Sequence, residues 1–250
     1  MHAWWTLVRR ELSGYFLSMS GYIIIAAALF LLGFSFVDLI KQLQHESTPM
    51  PVTELFYVTW FFWLILLLTT PVITMRLFAL ERFSGTFETL MTTPVSDRQV
   101  VFAKFTAAFV FYALMWLPLL GCMLLVRMYT NEPSAVDSGV IASTFFGILL
   151  LGGVFLSLGC CASALTRSQV TAAMISLALS AALFLVSVMA DQLPVTPGWQ
   201  SQVLGSFALF RQMHDCARGV VDTRMIVFCV TATLFFLFLT LRIVESRRWR

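Results

Sequence analysis

A hydrolase, a metalloenzyme or an ion-coupled carrier built on this chain would have to draw on three histidines, five cysteines and thirteen carboxylates. Their spacing supports none of the three. His2, His45 and His214 all lie outside the long apolar runs, so no serine or cysteine within those runs has a histidine base beside it. There is no H-E-x-x-H and no G-x-S-x-G. Cys122, Cys160, Cys161, Cys216 and Cys229 form no C-x-x-C and no metal-ligand spacing, and in apolar runs cysteine acts as a small apolar residue. The interiors of the apolar runs hold no Asp, Glu, Lys, Arg or His to carry a proton or cation; Asp38 and Arg76 stand near run ends. The phosphate-wrapping G-x-x-x-x-G-K-[ST] loop is missing as well. The reading therefore expects no catalytic residue, no cofactor and no metal in this chain. If ATP supplies energy, a separate subunit must deliver it from outside the apolar runs.

One stretch has the pattern for receiving such a push. Residues 81–99, ERFSGTFETLMTTPVSDRQ, place charges between two long apolar runs. On a helix over 79–91, at about 100° per residue, Glu81, Ser84, Gly85 and Glu88 share one face. Ala79, Leu80, Phe83, Phe87 and Leu90 share the other. The apolar face would lie on the membrane or the base of a bundle, with Glu81 and Glu88 pointing outward. Gly85 costs such a helix roughly 1 kcal/mol against Ala but lets another surface approach. Pro94 ends it, and Ser96 or Asp97 can cap the helix that follows. The plainer alternative is a solvated loop with accidental periodicity.

The elements that hold this segment follow from composition. Of 250 residues, 59% are hydrophobic and 12% charged, with mean hydropathy +0.87. Soluble domains carry about 25% charged residues, so the chain reads as an integral membrane protein. A net charge of +3 gives no reason to expect nucleic acid. Charge-free intervals of about 17–25 residues can each cross a bilayer as a helix. They predict six spans, at 21–40, 55–75, 104–127, 139–165, 169–190 and 224–243. With the N-terminus inside, eleven of the sixteen basic residues fall on the cytoplasmic side. That orientation puts both termini, and residues 76–99, in the cytoplasm, with ESRRWR as a basic final anchor.

Residues 1–20 show no signal-peptide cleavage pattern. Trp4, Leu7, Val8, Leu12 and Tyr15 recur at helical spacing, which predicts a helix lying in the inner interface; the alternative is an extension of the first span. Two small-residue stripes, Gly153/Ser157/Cys161 and Ala172/Ser176/Ser180, suit close helix packing within one bundle or a subunit interface. Residues 191–223 contain Val203, Phe207, Phe210, His214, Ala217 and Val221 at helical spacing. This predicts an amphipathic outer element, either a re-entrant gate with Phe207 and Phe210 at its face or a simple seal.

Residues 71–105, PVITMRLFALERFSGTFETLMTTPVSDRQVVFAKF, resemble the ABC-2 family of transporter permeases. The family pattern E-[KR]-x-x-G-T-x-E-x-L-x-x-x-P-[VI] is carried by Glu81, Arg82, Gly85, Thr86, Glu88, Leu90, Pro94 and Val95. Leu80 stands where the family often has a second acidic residue. The segment FALFRQMHDCARGVVDTRMIVF resembles a narrower group, permeases linked to bacterial gliding motility. The resemblance implies an all-α permease of six spans in a bacterial inner membrane. It also implies an ATPase partner seated on a coupling helix made of Glu81, Arg82, Phe83, Gly85, Thr86, Phe87, Glu88 and Leu90. A second copy or a related permease, and a periplasmic auxiliary protein, are the further partners expected. The expected function is the permease subunit of an exporter; the alternative is a non-transporting membrane anchor of a motility or envelope-assembly machine.

Overall fold

In a computed structural model the described residues are 2–45, 60–85, 96–129, 137–192, 205 and 207–248. Their regular structure is entirely helical. In chain order the helices are α1 (His2–Phe16), α2 (Met19–His45), α3 (Trp60–Thr74), α4 (Ala79–Phe83), α5 (Asp97–Tyr129), α6 (Ser138–Leu165), α7 (Gln169–Gln192), α8 (Leu209–Ala217) and α9 (Thr223–Arg248). Six stretches are long and apolar enough to cross a membrane: α2, the α3–α4 stretch, α5, α6, α7 and α9. The chemistry behind this is simple. Hydrocarbon offers no partner for a bare peptide group, so apolar segments satisfy their N–H and C=O groups within helices. Residues 55–59, expected to open the second span, lie outside the described residues, as do 46–54, 130–136 and 193–204.

Helix α6 is the axis of the bundle. It packs against α3, α5, α7, α8 and α9, and every residue from Leu151 to Ala164 is buried. Glycine makes that centrality possible. A Cβ on Gly152 would fall inside the van der Waals surface of the Tyr112 ring, and one on Gly159 would collide with the Thr74 side chain. The expected small-residue stripe did not include these two positions. Overpacking of this kind costs about 1–3 kcal/mol. Gly152→Ala is therefore expected to lower the melting temperature of the purified protein, and Tyr112→Leu in the same chain to restore much of the loss. Equal melting of Gly152→Ala and the parent would remove Tyr112 as the reason for that glycine.

The outer surfaces of α2, α7 and α9 are apolar and exposed, with Phe30 and Phe34, Met174 and Met189, and Leu234 and Phe235 among them. Such faces are apolar enough to meet lipid or a second membrane subunit. The opposite face of α7 is small: Ala172, Ser176, Ser180, Ser187 and Ala190 are all buried. This matches the expected stripe and places it inside the bundle.

The N-terminal helix packs on α5 through residues of the predicted stripe. Val8 is buried against Ala103 and Ala107 of α5, with Trp4 and Leu7 beside it. Tyr15 stacks on Phe111 with centroids 4.8 Å apart. Part of the predicted apolar stripe thus packs on α5. α1 does not simply extend the first span, because the chain bends at Leu17 and Ser18 before α2 begins. The hydroxyls of Ser18 and Ser20 at this bend accept hydrogen bonds from the Arg76 guanidinium, the former at 3.2 Å. Tyr15 donates to the Ile73 carbonyl at 2.9 Å. Burial, with smaller contributions from Cys160 and Glu11, raises the Tyr15 phenol well above its ordinary range, so it remains a donor.

Candidate functional site

The segment singled out in the sequence begins where α3 ends. After Thr74 the chain turns through 75–78 and forms the short helix α4. A five-residue helix cannot persist on local propensity, because the first turn fixes three residues for one hydrogen bond. Tertiary contacts hold it instead. The N–H groups of Phe78 and Ala79, orphaned at the helix start, both donate to Ser163 Oγ, at 3.1 and 3.2 Å. Ser163 in turn donates to the Met75 carbonyl at 3.3 Å. The return contact comes from Arg82, whose guanidinium donates to the Ala164 carbonyl at the end of α6. Each helix therefore caps the other: Ser163 of α6 supplies the start of α4, and Arg82 of α4 supplies the end of α6.

Glu81 fastens α4 to a third element. Its Oε1 lies 2.7 Å from the Lys104 ammonium on α5. Lys104 is only 3% exposed, and Glu81 16%. The sequence reading put Glu81 on an outward face with Glu88, and the structure corrects this: Glu81 turns inward. The reason is Lys104. A buried ammonium demands a counterion, and satisfying it outweighs hydrating one carboxylate.

The apolar side is corrected in the same way. Ala79 is fully buried, but Leu80 is partly exposed and Phe83 is 78% exposed at the end of the helix. The expected single helix over 79–91 is also revised. The helix ends at Phe83, where the Ser84 N–H bonds back to the Leu80 carbonyl at 3.0 Å. Gly85 then adopts φ +73°, in the left-handed region where glycine meets no Cβ penalty. Its use is to end the helix, and none of the described residues crowds it. Thr86, Phe87, Glu88, Leu90 and Pro94 lie outside the described residues. At the far side of that gap Ser96 precedes α5, and its N–H donates to Gln99 Oε1 at 3.4 Å, one arm of a capping box.

Sequence reading missed Ser163, Glu11 and the pairing role of Lys104. Ser163 was one small residue among many in an apolar run. Lys104 counted only as one of the cytoplasmic basic residues. The one available signal was its position at the start of an apolar helix, where a lone ammonium needs an acid.

The opposite end of the bundle holds the outer element. α8 is strongly amphipathic, with Leu209, Met213, Cys216 and Ala217 buried. The predicted stripe of Phe207, Phe210, His214 and Ala217 is therefore rotated: Ala217 is on the buried face, while Phe210 and His214 flank it. Packing against α6 decides the register. A Cβ on Gly147 would stand 2.9 Å from Met213 Sδ and 3.3 Å from Cys216 Cβ, so α8 seats Met213 and Cys216 in that gap. Ser143 donates to the Cys216 carbonyl at 2.8 Å. Burial, helped by Asp215 and Asp222, pushes the Cys216 thiol up to about 11, which keeps it protonated and inert.

Phe207 and Phe210, read together as a gate, meet different helices. Phe207 packs edge-on against Phe228 of α9 at 5.1 Å. Phe210 stacks on Trp63 of α3 at 5.8 Å, and Trp63 also meets Phe184 of α7. The Phe210 N–H donates to Ser187 Oγ at 2.9 Å. Ser143 and Ala164 are twenty-one residues apart on α6, about 32 Å at 1.5 Å per residue. One rigid helix therefore runs from the contact with α8 to the contact with α4.

This arrangement offers no reacting group; what it offers is a short helix rigidly fastened to α5 and α6. Comparison with known proteins gives that feature its setting. No curated protein matches the chain. The family model described as ABC-2 family transporter protein matches residues 19–198, from the first residue of α2 to beyond the end of α7. That is well over half of the sequence, and the match contains α4 and the helices that hold it. Proteins of this family are non-catalytic membrane subunits of transporters that work with an ATPase subunit. A six-span helical bundle of this composition, matched along most of its length, belongs to the ABC-2 transporter family and is a multi-pass membrane permease subunit.

Proposed function

We propose that this chain is the permease subunit of an ATP-driven exporter in a bacterial inner membrane, with both termini in the cytoplasm. A separate ATPase subunit docks on the segment that begins at α4. A second copy, or a related permease, completes the membrane part, and a periplasmic auxiliary protein receives or presents cargo at the α8 end. Within the family, the gliding-motility type is the subtype that residues 207–228 resemble.

The observation that carries this reading is the mounting of Phe83. Its ring projects from the bundle, 78% exposed. The helix beneath it is tied to α6 through Ser163 and Ala164 and to α5 through Lys104. An exposed aromatic on a rigid mount is the kind of anchor that dominates protein interfaces. Force applied to it reaches α6 directly and α8 through α6, and bears on α5 through the Glu81–Lys104 contact.

A photo-crosslinking phenylalanine analogue at position 83 tests the reading in cells. The expected product joins the permease to a polypeptide carrying a phosphate-wrapping loop. The same analogue at exposed Phe34 of α2 gives none. Phe83→Ala is expected to weaken that association by about tenfold or more, in the range of an interface anchor worth roughly 2 kcal/mol, with little change in melting temperature. Crosslinking at 83 to lipid alone would refute the proposed docking.

A further inference from the structure

The Glu81–Lys104 pair has a second acid and a second base around it, and both come from α1. Glu11 Oε1 lies 3.1 Å from the Lys104 ammonium. Arg10 reaches both acids, at 3.1 Å to Glu11 and 3.6 Å to Glu81. The Phe78 ring stands 5.5 Å from Lys104 Nζ. Two carboxylates and two cations make a neutral quartet drawn from three helices. Its members differ in burial: Lys104 is nearly enclosed, Glu81 and Glu11 are mostly so, and Arg10 is more than half exposed.

A single partner for Lys104 would make α4 immovable. If Glu81 were the sole counterion, any movement of α4 away from α5 would strand a desolvated ammonium, a state proteins avoid at high cost. Glu11 lifts that constraint. It sits on α1, and α1 is packed onto α5 through Val8, Ala103 and Ala107. When α4 moves, Glu11 stays with Lys104. Arg10, reaching outward, can follow Glu81.

We propose that Glu11 is a resident counterion that keeps Lys104 paired while Glu81 leaves, so that the quartet is a two-position coupling between a movable α4 and a fixed α1–α5 platform. The proposal rests on reading α4 as the arm that an ATPase moves. It makes Glu11 a positioning residue, and it gives α1 a role in the stroke as the part that holds still.

The two acids then have opposite effects, which a merely structural ion cluster would not produce. Losing Glu81 removes the tether and frees α4. Losing Glu11 removes the partner that waits for Lys104 in the released position, and so holds α4 down. Hydrogen exchange of the permease in lipid nanodiscs reads this at the amides of Arg82 and Ser84, which bond to the Phe78 and Leu80 carbonyls. Glu81→Gln is expected to speed their exchange roughly tenfold, and Glu11→Gln to slow it severalfold, because exchange follows the free energy of local opening. Amides of α1 should be unchanged in Glu81→Gln, since the platform stays in place.

Faster or unaltered exchange in Glu11→Gln overturns the proposal, as does α1 opening together with α4. Should Glu11→Gln not fold, Glu11→Asp takes its place, with a smaller slowing expected and faster or unaltered exchange again decisive. The measurement needs no ATPase. Crosslinking at position 83 can therefore fail while this pattern holds, or the reverse.

Discussion

Lys104→Met is expected to be the most damaging single substitution in the protein. Methionine fills a similar volume, so the loss would come from charge rather than from a cavity. Glu81 and Glu11, both mostly buried, would lose the ammonium that both now contact. Breaking a buried ion pair from one side costs about 3–5 kcal/mol, because the remaining charge is left without compensation. Thermal unfolding in detergent measures this directly. The triple variant Lys104→Met, Glu81→Gln, Glu11→Gln should recover most of the lost stability, since neutral amides need no counterion. A triple variant no more stable than Lys104→Met would mean that the side-chain stem, and not the charge, matters at this position.

Ser163→Ala is the second large effect. The substitution removes one hydroxyl from the last turn of α6 and strands two buried backbone donors, the N–H groups of Phe78 and Ala79. Each buried donor left unsatisfied costs about 1–3 kcal/mol, so a loss of at least about 2 kcal/mol is expected. Ser157→Ala provides the comparison. Ser157 is equally buried, but its hydroxyl only donates to the Val154 carbonyl of its own helix, so its removal should cost under about 1 kcal/mol. Chemical denaturation of the two variants side by side decides the matter, and equal midpoints would dismiss Ser163 as a cap. The Ser163 variant should also expose α4 to protease while leaving α9 protected, because the lost bonds hold α4 alone.

The two substitutions test one mechanical idea. α4 is too short to hold its shape unaided, so its geometry is supplied by α6 at its start and by α5 at Glu81. A partner pressing on Phe83 would therefore act on a helix joined to α6 by Ser163 and Arg82 and held to α5 by the Glu81–Lys104 contact. The α6 helix adds reach, since its other half carries Gly147 and Ser143 against α8.

Much of this could be read along the chain. The six spans follow from charge-free intervals, because a helix in hydrocarbon must be apolar over a known length, and that requirement is local. A cap before α5 was legible at Ser96 or Asp97, whereas Gly85, read as lying inside a longer helix, ends α4. What periodicity could not supply was which face each short amphipathic helix would bury. Around α8 the large Phe207 and Phe210 suggested one face, yet Met213 and Cys216 took it because they fit the gap at Gly147. In α1 the apolar stripe was legible, but not that Val8 and Tyr15 would pack on α5.

Glu81 makes the same point for charge. Helical spacing alone put it outward, beside Glu88. Its direction was set by Lys104, 23 residues onward, and that lysine also meets Glu11, 93 residues before it. Apolar length and turn chemistry are properties of neighbouring residues, and the linear order of the chain contains them. The choice of counterion for a desolvated charge, and of cap for an orphaned amide, depends on which helices pack together, and only the folded bundle makes that choice.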